Sequence, residues 1–266
     1  MFSPIAIWNH FLARPNDDRV KVFGIAILVA FVSAVVVSVT SVTLQPLQDA
    51  HLEAERADRM SKMLDTLPGM RDLMEESGVE TLETRLVDLE TGAFILGIDA
   101  SSLDMPVAEN DPQESVAIPV GEDIAGLRRR AKLAPVYLLE RKGKLQLVVL
   151  PVSGVGYQST IRAMLALEPD LTTIAALTIT EQGETPGIGA RIEDPSWQAL
   201  WAGKDAMDET GQIVVTIVRG NAVETHEIDG ITGATVTSNG VANMLRYWLG
   251  DHGFGPFLHR LRLEGL

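Results

Sequence analysis

From Val22 to Leu44 the chain reads VFGIAILVAFVSAVVVSVTSVTL, with no charged side chain. As a helix rising about 1.5 Å per residue this run spans roughly 34 Å, enough for a bilayer core of about 30 Å. The pattern predicts one transmembrane helix over 22–44. A cleaved signal peptide is the rival, with small residues at Ser38 and Ser41, but the apolar run exceeds the length of a signal-peptide core. Arg14, Arg19 and Lys21 precede the run, whereas Asp49, Glu53 and Glu55 follow it before Arg56. Basic flanks stay cytoplasmic. The expected topology is therefore a single-pass protein of the inner membrane, with residues 1–21 as a short cytoplasmic arm and 45–266 facing the periplasm. Trp8, His10 and Phe11 suit an interfacial arm as well as a short disordered terminus.

After the apolar run, Met60, Met63, Leu64 and Leu67 have the spacing of an amphipathic helix within 45–78, interrupted near Pro68 and Gly69. Residues 101–123 carry Asp104, Pro106, Glu109, Asp111, Pro112 and Glu114 without periodicity, which predicts a long polar loop. A strand is expected at Leu145–Leu150, entered through ERKGK and closed by Pro151. Ile161, Ala163, Leu165 and Leu167 alternate, EPD follows, and then TTIAALTIT, together the pattern of an antiparallel hairpin. Asp194 and Pro195 form an N-cap and first-turn pair for a short helix with Trp197, Leu200 and Trp201. Another strand is expected at Gln212–Val218. Val241, Met244, Leu245, Trp248 and Leu249 fall at i, i+3, i+4, i+7 and i+8 and define the buried face of a helix. Just before it stands DGITGATVTSNG, where Gly230 and Gly233 permit a tight turn and Thr235, Thr237 and Ser238 are potential caps. The expected fold class is α+β: antiparallel strands and packed helices in one extracytoplasmic domain behind one anchor, with its ligand-binding region at about 145–250.

The 266 residues include no cysteine, which excludes disulfides, thiolate zinc sites and iron–sulfur clusters held by this chain. A formal charge of −14 opposes nucleic-acid binding, because phosphate neutralisation needs clustered Lys and Arg. His10, His51, His226, His252 and His259 show no metal-ligand spacing, so no metal is expected. Ser153, Ser159 and Asp229 lack a G-x-S-x-G elbow, and no catalytic residue is assigned.

The start of a helix presents unpaired N–H groups and the positive end of its dipole, a favourable place for phosphate. Thr235 lies at such a point. Its hydroxyl does not ionise near neutral pH, so attachment of a phosphate group there requires a separate activating enzyme. On the same residues DGITGAT also reads as an ordinary turn and cap, GETPGIG as a Pro-Gly turn, and Tyr157 as a core residue.

DGITGAT at 229–235 resembles the D-x-x-[S/T]-G-A-T signature of threonine-flavinylated proteins. GETPGIG at 183–189 resembles the E-T-P-G-[L/I]-G motif of FMN-binding domains, and GVGYQSTIRAMLALEPDLTTIAALTI at 154–179 the strand pair before it. With the single anchor, RLVDLETGAF at 85–94 and GPFLHRLR at 255–262, the whole is similar to the C-subunit family of the Na⁺-translocating NADH:quinone oxidoreductases. The G subunit of the Rnf ferredoxin:NAD⁺ oxidoreductase shares the flavinylation motif and is the nearest alternative. A membrane-tethered binding or assembly module without flavin is the alternative from another class.

What the resemblance implies is a flavoprotein subunit of a sodium-exporting complex, with no complete activity of its own. FMN would be joined through its phosphate to Thr235, and Asp229, Thr232, Gly233 and Ala234 would form the recognition site of an FAD:protein FMN transferase. Thr185, Gly187, Ile188 and Gly189 would line the flavin, Glu184 would orient their loop, and Tyr157 would be a neighbour. The implied partners are the other subunits, the transferase during maturation, and the membrane.

Overall fold

Val148, Leu150 and Val152 of the strand Lys144–Val155 lie in the main core, while Leu147 and Val149 join a smaller cluster on the opposite face. This alternation is what a pleated strand with two covered faces demands. The computed structural model describes residues 8, 12–16, 18–35, 37–38, 83–98, 100, 103–141 and 144–265. By internal contacts the chain divides at Ala57 into two units.

In the first unit, residues 19–35 and 37–38 are helical. Asp18 accepts from the Val20 amide at 2.7 Å, and the Lys21 ammonium donates to Leu12 O, Arg14 O and Asn16 Oδ1 at 2.6–2.9 Å. No helix among the described residues is long and apolar enough to cross a membrane. Of the predicted span, residues 36 and 39–44 lie outside the described residues, as do most of the cytoplasmic arm and the whole amphipathic segment 45–78.

The second unit is built on a seven-stranded antiparallel sheet. Its strands are β1 (Glu83–Asp88), β2 (Phe94–Ile95), β5 (Leu133–Arg141), β6 (Lys144–Val155), β7 (Thr160–Leu167), β8 (Thr173–Glu181) and β9 (Lys204–Asp205), in the order β2-β1-β5-β6-β7-β8-β9. RLVDLETGAF is the β1–β2 hairpin, with Val87 opposite Phe94. The β7–β8 hairpin expected from alternation is present, with Leu165 opposite Leu177.

Three expectations are corrected. The polar stretch 101–123 is not all loop: it holds helix α1 (Met105–Asn110) and strand β3 (Ser115–Ala117), which pairs with β4 (Arg129–Ala131). Asp104 caps α1 by accepting from the Val107 amide, and a proline sits in its first turn, so capping chemistry made a helix too short to show periodicity. Pro151 does not close β6, which runs on to Val155; the pairing with β5 ends at Val149, so the amide that proline lacks falls beyond that ladder. The strand expected at Gln212–Val218 shrinks to β10 (Thr216–Val218), which pairs in parallel with β11 (Glu227–Asp229).

One face of the sheet is covered by α3 (Thr235–Leu249) and α4 (Gly255–Glu264). The predicted stripe of α3 is buried throughout, from Val241 to Leu249, and Trp248 Nε1 donates to Ser153 O of β6 at 2.7 Å. Between β8 and α3 the chain forms a 3-10 turn, Gly189–Glu193, and the short helix α2 (Pro195–Gln198). Asp194 precedes α2 as expected, but its carboxylate pairs with Arg191 at 3.3 Å and its backbone carbonyl serves the helix.

Helix α3 approaches β6 closely because both surfaces are glycine. A Cβ on Gly240 would lie 2.7 Å from Val155 O, and one on Gly154 would lie 2.8 Å from Met244 Cβ. Gly240→Ala gains about 1 kcal/mol of helix propensity, yet the clash is with backbone and must displace α3, an overpacking cost of about 1–3 kcal/mol. We expect a net loss of stability, read as a lower midpoint in denaturant titration, and weaker order at the N-terminus of α3.

Candidate functional site

The carboxyl ends of the parallel strands β10 and β11 and the N-terminus of α3 converge on one cavity of about 590 Å³. Its walls are Ile217, Val218, Arg219 and Gly220 from one strand end, Gly230 to Gly233 from the other, and Thr235, Ser238 and Asn239 from the helix. Gly230 N donates to Val218 O at 2.9 Å, and a Cβ on Gly230 would lie 3.0 Å from that same oxygen. Glycine is needed there for the two strand ends to meet.

Thr235 is the first residue of α3, half-buried and on the cavity wall. The capping expectation is corrected: Ala234 occupies the N-cap position and offers no side-chain acceptor. The first-turn amides, which have no partner inside the helix, therefore keep their donors directed out of its end. Ser238 instead accepts from the Ile231 amide at 3.2 Å, fixing the turn before the helix, and Thr237 is buried.

Thr237 Oγ1 donates to Glu184 Oε2 at 2.6 Å. Glu184 is only 4% exposed and is the node that joins the loops. Its Oε2 also accepts from the Tyr157 amide at 3.1 Å, and its Oε1 accepts from the Gln158 amide, the Ser159 amide and Ser159 Oγ, each at 3.0 Å. Burial pushes the Glu184 carboxyl up, but the hydrogen bonds from Thr237, Gln158, Tyr157 and Ser159 outweigh it and hold the pKa below the ordinary glutamate value. Gly156 and Gly189 make room for this node: a Cβ on Gly156 would lie 2.6 Å from Glu184 Oε1, and one on Gly189 would lie 2.8 Å from Thr237 Oγ1.

The loop after Glu184 turns through Gly187 at φ 74°, with the Ile188 and Ala190 amides both donating to Thr185 O at 3.1 Å. Ile188 is 46% exposed, and a Cβ on Gly233 would lie 3.8 Å from its Cγ2. The two motifs, far apart in sequence, are thus neighbours at the mouth of the site.

Of the residues singled out from sequence, Thr232, Gly233 and Thr235 line the cavity and Ile188 stands beside Gly233, whereas Thr185, Gly187 and Gly189 are not on its walls, Gly189 packing against Glu184 and Thr237 instead. Ala234 is buried behind it. Tyr157 is not a core residue: its side chain is 66% exposed, and only its backbone is engaged, by Glu184. The Asp229 side chain is not on the cavity wall; its carboxylate accepts from the Ala222 amide, and its carbonyl accepts from Trp197 Nε1 at 2.9 Å. Sequence reasoning missed Arg219, Asn239 and the node role of Thr237. The T-V-T-S string marked Thr237 only as a cap, and Arg219 sits in no motif.

Comparison with known proteins is direct. Residues 156–250 match the FMN-binding domain family. The chain is 40% identical over 255 residues to the C subunit of the Na⁺-translocating NADH-quinone reductase of Vibrio alginolyticus, covering 94% of this chain and 98% of that protein. This chain belongs to the C-subunit family of the Na⁺-translocating NADH-quinone reductases. The corresponding protein of Pseudomonas aeruginosa is 39% identical over 257 residues, 93% of this chain and 97% of that one. In structure, the chain is similar to Shewanella oneidensis NqrC with a TM-score of 0.69 and 31% identity, covering 79% of this chain and 99% of that one. Membership in the C-subunit family favours that reading over the Rnf G subunit.

Proposed function

We propose that this chain carries FMN as a phosphoester on Thr235 and holds it at the cavity between β10, β11 and the start of α3. The chain is then a flavoprotein subunit of a Na⁺-translocating NADH-quinone reductase, a multisubunit oxidoreductase. The observation that carries the reading is Thr235 itself: a hydroxyl without a hydrogen-bond partner among the described residues, at an uncapped helix N-terminus, on the wall of the 590 Å³ cavity. The FMN-binding domain match spans every element that lines this cavity.

The residues present fit the group. Phosphate at Thr235 would meet the donor end of a fifteen-residue helix, and the mixed walls, apolar at Ile217, Val218 and Ile231 and polar at Thr232 and Asn239, suit a flavin with its ribityl tail. When bound, FMN supplies one- and two-electron transfer; the protein contributes placement and electrostatics. In the attachment reaction an FAD:protein FMN transferase would remove the Thr235 proton as the new O–P bond forms, and the pyrophosphate bond of FAD breaks to release AMP. Glu184 does not face the cavity. It fixes the 156–159 and 184–189 loops to Thr237, two residues beyond the attachment point. Asp229, Thr232, Gly233 and Ala234 would be read by the transferase before the turn closes.

The apolar run 22–44 supports an anchor in the inner membrane, with the flavin domain in the periplasm and the other subunits as partners. Expression with and without an active transferase, followed by intact mass and visible absorbance of the denatured protein, tests the attachment. An FMN-sized mass gain that maps to 229–238 is expected only with the transferase. An unmodified Thr235 alongside an active transferase would sink the reading.

A further inference from the structure

Among the described residues, Arg219 is the only charged one on the walls of the Thr235 cavity. It belongs to a chain with 36 Asp and Glu against 22 Lys and Arg, where several other described arginines find a carboxylate, although Arg128 and Arg262, neither of them on the cavity wall, find none among the described residues. Arg85 pairs with Glu83 and Glu140, Arg162 with Glu109 and Glu181, Arg191 with Asp194, and Arg260 with Glu264. Arg219 has no acceptor among the described residues and is exposed.

The backbone that carries Arg219 is nonetheless held firmly. After β10 the chain turns at Gly220, φ 107°, into a loop that returns to β11. Asp229 Oδ1 accepts from the Ala222 amide, and Glu227 Oε2 accepts from the Val223 and Glu224 amides at 2.9 and 3.2 Å. Glu227 and Asp229 are alternate residues of β11, so both carboxylates reach the same side of the strand. The Glu227 carboxyl is held below its ordinary pKa, first by the Val223 and then by the Glu224 amide. Two anions thus spend their charge on loop amides and leave the guanidinium free for the cavity.

We propose that Arg219 is the counter-ion of the phosphodiester on Thr235 and that it fixes the tethered flavin in the cavity, with Asp229 and Glu227 as positioning residues that hold its loop. This rests on Thr235 bearing FMN. A phosphodiester keeps one negative charge at neutral pH, and a guanidinium offers it paired donors in a planar fork. The assignment also gives Asp229, the first residue of the attachment motif, a second task in the finished protein.

The test uses the full-length flavinylated chain, purified in detergent, with intact mass confirming FMN on each variant. Arg219→Ala is expected to keep the flavin mass, to move the ³¹P resonance toward that of a free FMN–threonine phosphodiester, and to lower flavin fluorescence anisotropy. Arg219→Lys should fall between it and wild type. Glu227→Ala, which leaves DGITGAT intact, should shift both signals in the same direction by less. The proposal is overturned if Arg219→Ala leaves resonance and anisotropy unchanged on flavin-bearing protein, or if Glu227→Ala alters them while Arg219→Ala does not. Wild-type protein without FMN on Thr235 defeats the underlying reading, and that outcome is distinguished by mass alone.

Discussion

Thr235→Val is expected to abolish covalent flavin while leaving the domain folded. The substitution replaces one hydroxyl by a methyl at nearly constant volume, at a half-buried position where no described group bonds that hydroxyl. Thr235 is not the N-cap, so no capping hydrogen bond is lost, and the stability change should stay within about 0.5 kcal/mol. Within α3 the flavin has no second attachment point: the other hydroxyls of the helix start, Thr237 and Ser238, are buried and committed to Glu184 and to the Ile231 amide. Mass spectrometry of the denatured variant should show the unmodified chain, and its visible absorbance should vanish. Thr235→Ser keeps a hydroxyl at the same helix position and should still be modified. Flavin retained on the valine variant would move the attachment point elsewhere.

Replacing Glu184 should have the largest effect on stability. Glu184→Ala leaves the amides of Tyr157, Gln158 and Ser159 and the hydroxyls of Ser159 and Thr237 without their acceptor. Water can enter part of the space the carboxylate vacates, so the cost is far from five full penalties; about 2–4 kcal/mol is the scale for a lost buried charged acceptor. The loss should appear as a lower denaturant midpoint, and flavin attachment should fall because the first turn of α3 is no longer pinned. Glu184→Gln is the more telling variant: its amide NH₂ must face donors that already point inward, so it should be destabilising despite equal size.

The pH dependence follows from the same node. The folded pKa of Glu184 lies below its unfolded value, so the unfolded chain binds the proton more readily. Its contribution is then fully present above about pH 4.3, the ordinary glutamate range, and is lost as pH falls through the depressed folded value. Wild type should therefore lose stability on acidification more steeply than Glu184→Gln, whose difference from wild type narrows at low pH. Parallel acid profiles for the two proteins would contradict this account.

What could be read from the chain reflects which interactions are local. The buried stripe of α3 and the alternation of β7 and β8 were legible because side-chain period follows backbone geometry. Helix α1 was hidden, since six residues hold less than two turns and its evidence is one cap, Asp104. The true extent of β6 was hidden by Pro151, whose usual role as a breaker depends on a neighbour strand that the sequence does not display. Tyr157 shows the same limit: its backbone is fixed by a carboxylate twenty-seven residues away, while its ring is exposed.

The sequence by itself determined the family, the DGITGAT string around Thr235, the apolar run and the absence of thiol chemistry, because each of these is a property of contiguous residues or of composition. Only the tertiary structure decided what the motif residues do. It drew Glu184 into the interior to meet Thr237, engaged the Asp229 carboxylate with the Ala222 amide, and set Arg219 on the cavity that Thr235 lines. A buried carboxylate satisfies its lone pairs with whichever donors the fold brings within reach. That choice is made by packing between segments dozens of residues apart, and no local pattern records it.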